Sequence, residues 1–303
     1  MTSLVSLIDP YTLQILVNIG IAIVLALGLN VVTGLTGQLT LGHAAFMSIG
    51  AFASALITLR TGLPFSVNLL LSGTIAAVTG ALIGYPILRL TGDYLAICTL
   101  GFAEIVKVVF LNLEITNKAL GLTVPPPRSS VPMPLYVWAV ALTAIVFCSF
   151  LKNSRFGRAL TAIRDDEIAA EAMGINIARY KVQSFAIGAF LAGVGGGLYA
   201  HVISYLNPSD FGFLKSVDIL SMVVLGGLGS IAGTVVGASV LAAAPEFLRF
   251  MAQYRMLVYG GLLVFMMVFR PNGLLGGVNV TDLVLRALGR KPGTAVAAGK
   301  HRQ

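Results

Sequence analysis

The sequence predicts an all-α, polytopic membrane protein with about eight apolar stretches, some of them broken or re-entrant. Three observations predict this class. Hydrophobic residues make up 57% of the 303 positions and charged residues only 11%, against roughly 25% charged in ordinary soluble domains. The deficit runs along the whole chain and leaves too little polar surface to cover a water-soluble globule. Finally, Pro10 to Leu59 contains no Asp, Glu, Lys or Arg at all. A soluble enzyme, a disulfide scaffold and a disordered chain are excluded.

A helix rises ~1.5 Å per residue and must cross ~30 Å of hydrocarbon. Pro10–Leu59 is therefore two passes, or one pass and a re-entrant piece, with the break expected at 34–38 and Gly42 just after. Further apolar stretches run about 64–88, 94–113, 133–151, 182–206, 217–245 and 254–270. Cys98 and Cys148 lie in such stretches and read as small hydrophobes. The first ten residues lack a basic region and a cleavage pattern, and read as mature protein.

Basic residues set the orientation. Segment 152–181 holds Lys152, Arg155, Arg158, Arg164, Arg179 and Lys181, and the tail from 270 holds six more. Both segments are expected in the cytoplasm, with 114–132 and 207–216 outside. Three apolar stretches separate the two cytoplasmic segments, and three simple crossings would put them on opposite sides. One stretch must therefore double back, and 217–245 is the candidate, with Gly226-Gly227-Leu228-Gly229-Ser230 at its middle. Interrupted helices in both halves point to a transport pathway. Residues 1–276 then form one transmembrane domain, and 277–303 a basic, disordered tail near anionic lipid.

The segment 152–181 is long for a mere connection. Within it Asp165 is the expected N-cap of a helix near 166–173, Asp166 and Glu167 suit its positive end, and Gly174 stops it. Such a helix, ~12 Å long, spans nothing. It is shaped for insertion into a cytoplasmic partner, or else lies flat at the interface.

Glu104 and Lys107 share one face of the 94–113 span. They read as a structural ion pair or a proton path. His43 lines a substrate route or bonds a backbone carbonyl at the first break, and Gln38, Thr40 and Ser48 share its neighbourhood. Gly227-Leu228-Gly229-Ser230-Ile231-Ala232 matches G-x-G-x-x-A, but it follows an apolar membrane stretch and has no acidic residue ~20 positions on, so no dinucleotide site is expected. No phosphate-binding loop, metal cluster or catalytic set is present, so no cofactor and no enzyme activity are expected of this chain. Gly229, Gly233 and Gly237, like Gly193 and Gly197, recur every fourth residue and read as packing faces. The basic charge reports membrane orientation, not nucleic acid.

GRALTAIRDDEIAAEAMGINIARYK resembles the cytoplasmic coupling loop of ABC-importer permeases. GLTGQLTLGHAAFMSIGA, GDYLAICTLGFAEIVKVVFLN, VVLGGLGSIAGTVVGA and RPNGLLG resemble, in that order, the branched-chain amino acid importer permeases of the LivM-like branch, from about residue 15 to 276. Asn117 to Gly121 departs from the Gly- and Asn-rich turn usual there. The resemblance implies a type II importer permease in a bacterial inner membrane. It further implies a second homologous permease, two ATP-binding cassette subunits that bind the ATP, and an extracytoplasmic solute-binding protein. Asp165, Asp166, Glu167, Ala169, Ala170, Glu171, Met173 and Gly174 would contact the ATPases. Gln38, Thr40, His43, Gly227 and Gly229 would border the substrate pathway. Two other readings stand beside it: a proton-coupled secondary transporter, and a same-family importer of urea or short amides.

Overall fold

The computed structural model describes residues 10–247 except 89, 91 and 127–130, together with 260 and 261. Ten α-helices order these residues: α1 (Pro10–Leu29), α2 (His43–Thr61), α3 (Phe65–Ile87), α4 (Asp93–Asn112), α5 (Met133–Asn153), α6 (Arg155–Asp165), α7 (Glu167–Ala172), α8 (Ile177–Ile203), α9 (Phe213–Gly226) and α10 (Ile231–Phe247). A π-helical turn, Asn30–Leu35, extends α1. Six helices among the described residues are long and apolar enough to cross a membrane: α1 with its π turn, α2, α3, α4, α5 and α8. The expected span at 254–270 and the tail lie outside the described residues, apart from 260 and 261.

α8 is the central post, packed against α3, α2 and α1. In lipid no hydrophobic force drives one helix onto another, so close backbone approach by small residues does so. Gly193 lies against Gly50 and Ala76, and Gly197 against Ser72 and Leu69. The fourfold glycine spacing is thus a packing face, as it is on α10, where Gly233 meets Gly226 and Gly237 meets the Met222 carbonyl. α3 runs antiparallel to α8, with Gly73 facing Val194 and Gly84 facing Phe185. α4 and α5 flank this core and keep broad apolar faces exposed.

Both expected interruptions are present. Residues 37–42 leave helical geometry between α1 and α2. α9, only 14 residues or ~21 Å long, turns at 227–230 into α10, which folds back along it. The stretch 217–245 is therefore two short helices. At the opposite end of the molecule a two-residue strand β1 (Leu122–Thr123) pairs antiparallel with β2 (Tyr205–Leu206), joining the 114–132 segment to the chain just before 207–216.

The 152–181 connection differs from expectation. It holds two helices where one was expected. α6 forms because Ser154 caps it, accepting from Gly157 N at 3.1 Å, and because Gly157, Leu160 and Ile163 supply a buried face at helical spacing. Asp165 is the last residue of α6 and not the N-cap of the next helix. Asp166 takes that role, accepting from Ala169 N at 3.0 Å. α7 is six residues long, and Gly174 ends it at φ +82°, in the left-handed region that favours glycine.

Candidate functional site

The two chain breaks meet. Asn30, on the π turn, accepts a hydrogen bond from Gly229 N on its Oδ1 at 2.9 Å. Gly34 and Gly229 lie backbone to backbone. A Cβ on Gly34 would strike Gly229 N, and one on Gly229, at φ +77°, would stand 2.9 Å from the Gly34 carbonyl oxygen. Only glycine permits this approach from both sides.

Two cations from the 152–181 connection close onto this joint. Lys152 Nζ donates to the Gly229 carbonyl at 2.8 Å. Arg164 Nη1 donates to the Gly34 carbonyl at 2.8 Å, while its Nη2 lies 3.4 Å from Asp165 Oδ1. Broken helices leave carbonyls without intrahelical partners, and at membrane depth these need protein partners. Lys152 at the end of α5 and Arg164 on α6 supply them. Arg164 thus ties α6 to the first break, and Lys152 ties the end of α5 to the second.

The first break is satisfied from elsewhere too. Thr99 Oγ1 on α4 accepts from Leu41 N at 3.1 Å, Thr40 Oγ1 from Gly42 N at 3.3 Å, and Ser216 Oγ on α9 from Ala44 N at 3.1 Å. Thr40 thus holds the start of α2. His43 is buried and its Nε2 donates to the Leu25 carbonyl of α1 at 3.0 Å. Ser48 bonds its own helix at Ala45 O. Gln38 is buried, and neither polar atom of its amide has a hydrogen-bond partner among the described residues. Gly227 and Gly229 sit in the second break, at φ +108° and +77°. The structure therefore brings the pathway candidates to one region but uses most of them to hold backbone.

On α7 the residues divide by direction. Ala170 is 3% exposed and packs within the chain, so its small side chain answers to α6 and α8, which α7 contacts, and not to a partner's groove. Glu167 Oε1 pairs with Lys181 Nζ of α8 at 2.6 Å, the lysine side chain being only 6% exposed. Asp165, Asp166, Ala169, Glu171 and Gly174 are exposed. Ile168 and Met173 are 83% and 84% exposed, apolar side chains held out from a polar segment. Ile168 escaped sequence reading because an isoleucine beside Ala169 and Ala170 reads as core; its direction follows only once Ala170 is seen to face inward.

Glu104 and Lys107 lie 3.1 Å apart on the flank of α4, with side chains 42% and 27% exposed. No group of three His, Cys, Asp or Glu among the described residues is arranged to hold a metal.

The family profile described as "Branched-chain amino acid transport system / permease component" matches residues 11–267. The chain belongs to the branched-chain amino acid transport permease family. The permease is 40% identical to the high-affinity branched-chain amino acid transport system permease protein LivM of Salmonella typhimurium, over 84% of this chain and 68% of that protein. It is 31% identical to permease protein BraD of Pseudomonas aeruginosa, over 83% of this chain and 90% of that protein. It is also 26% identical, with the same coverage, to permease protein LivH of Escherichia coli. No solved structure matches. As a permease component the chain is a multi-pass membrane protein that catalyses no reaction itself. The clamped joint of two breaks lies within the matched region.

Proposed function

We propose that this permease conducts branched-chain amino acids through a bacterial inner membrane as one of two related transmembrane subunits of an ATP-driven importer. Residues 1–276 form its transmembrane domain and 277–303 a basic cytoplasmic tail. Its similarity to both LivM and LivH supports a homologous second permease. Two ATP-binding cassette subunits dock on the cytoplasmic face, and a solute-binding protein delivers substrate from outside. The ATPases seat against Ile168 and Met173 and the acidic residues Asp165, Asp166 and Glu171.

The observation that carries this reading is the clamp. α6 ends at Asp165, one residue before the α7 cap, and holds the Gly34 carbonyl through Arg164. A push on α7 reaches both chain breaks through α6 without crossing any flexible loop. Alternating access then consists of moving the joined breaks between two arrangements. A proton-coupled transporter would need a titrating route. His43 is bonded to backbone at Leu25, and Glu104 and Lys107 are paired with each other beside Gly212.

Purification of the complex on a tagged chain is the test. Recovery of a second permease and two ATPases, with ATP-dependent uptake of leucine and not of urea, is expected. Recovery of the chain alone with full proton-driven uptake would overturn the reading.

A further inference from the structure

A cavity of about 280 Å³ lies between α1, α8, α9 and α10, apart from the clamped joint. Its lining is polarised. Asn18 of α1, Tyr199 of α8 and Lys215 and Asp218 of α9 are its polar members, with Ile203 and Pro245 beside them, and Leu25, Met222 and Leu241 are among its apolar ones. α1 and α9 both run toward the joint, where Gly34 meets Gly229. In each the polar residues come first and the apolar ones one to two turns later, ~5–10 Å closer to the joint. The polar end thus faces away from the 152–181 connection, and Leu25 and Met222 close the deep end. α10 returns antiparallel and sets Leu241 along the side.

Lys215 and Asp218 are one helical turn apart near the start of α9, so both charges stand at the same end of the cavity. Lys215 Nζ stands over the Tyr199 ring, 5.5 Å from its centroid, which holds the ammonium against the cavity wall. A small ligand with one charged end of both signs and one apolar end matches this shape and polarity.

We propose that this cavity is a substrate site of the permease. Lys215 faces the amino acid's carboxylate, Asp218 and Asn18 its ammonium, and Leu25, Met222 and Leu241 surround its apolar side chain. The site rests on the importer reading and deepens it. The headgroup anchors accept any zwitterion. The depth between Lys215 and Met222 selects side-chain length.

The test uses the complex purified on a tagged chain, in vesicles with its solute-binding protein. That protein is common to every variant, so a changed preference reads the permease alone. Met222→Phe shortens the deep end and should lower the leucine-to-alanine uptake ratio about tenfold, the usual penalty for a misfit of one or two methylenes. Met222→Ala should shift preference the other way, toward phenylalanine. Lys215→Met should reduce uptake of all three about tenfold or more, with the quantity of assembled complex retained, and Lys215→Arg should restore most of it. Unchanged ratios in both Met222 variants, with normal wild-type leucine uptake, would overturn the site and leave the importer reading standing. Wild-type complex that carries no apolar amino acid would overturn the importer reading, and the site with it.

Discussion

Removing the two cations that hold the chain breaks should uncouple ATP hydrolysis from uptake. A hydrogen bond with a charged donor contributes about 1.5–3 kcal/mol. The Arg164 side chain is 37% exposed, so its bond to Gly34 belongs at the low end, ~1.5 kcal/mol. Lys152 is half-buried and its bond to Gly229 is worth ~2 kcal/mol. Each ~1.4 kcal/mol is a factor of ten. Arg164→Met should therefore lower amino acid uptake per ATP hydrolysed roughly tenfold, and Lys152→Met somewhat more. The carbonyls they hold are on chain segments that touch, so the two effects should be non-additive. The assay is uptake and phosphate release measured together in vesicles holding the assembled complex. Both substitutions should leave the quantity of assembled complex unchanged, because neither cation lies on the exposed face of α7. Wild-type stoichiometry in the double variant would refute the clamp as the coupling route.

Ile168→Asp and Met173→Asp should leave the permease in the membrane at wild-type levels, since both side chains are more than four-fifths exposed, yet release the ATPases in a pull-down. Ala170→Trp should act differently: it overfills a packed site, typically at 1–3 kcal/mol, and should expose the 152–181 connection to limited proteolysis before any partner is added. Glu104→Gln should weaken assembly more than Glu104→Gln with Lys107→Met, because the single change strands the lysine; a wild-type complex that loses only the pH dependence of uptake would point to proton transfer instead. Single cysteines at Asn176 and Ala297 should be labelled from the same face of the membrane, and labelling from opposite faces would refute the doubled-back α9–α10 pair.

Much of the fold is legible in the chain because membrane spans are long, apolar and bounded by charge. The broken helices were legible through glycine, at Gly34, Gly42 and Gly227, and the α9–α10 reversal through the parity of basic segments. The partners of the breaks were not. Thr99 and Ser216 lie 58 and 172 residues from the amides they cap, and Lys152 and Arg164 read as orientation charges until the structure places them against carbonyls. Local signals around Asp165 and Asp166 are nearly identical, and only the backbone shows that Asp166 is the cap. α6 is hard to read from sequence because its basic, polar surface masks a narrow buried face of Gly157, Leu160 and Ile163. The polarised cavity was invisible because its residues come from four helices, and every apolar face in so apolar a sequence reads alike.

The most direct measurement is leucine uptake into vesicles containing the complex purified on the tagged chain, with ATP or an imposed pH gradient as the energy source. Uptake should require ATP on the side of the 152–181 connection, persist when a protonophore collapses the gradient, and fall with Arg164→Met while ATP hydrolysis continues. Uptake driven by the pH gradient without ATP would contradict an importer worked through α6 and the joined helix breaks.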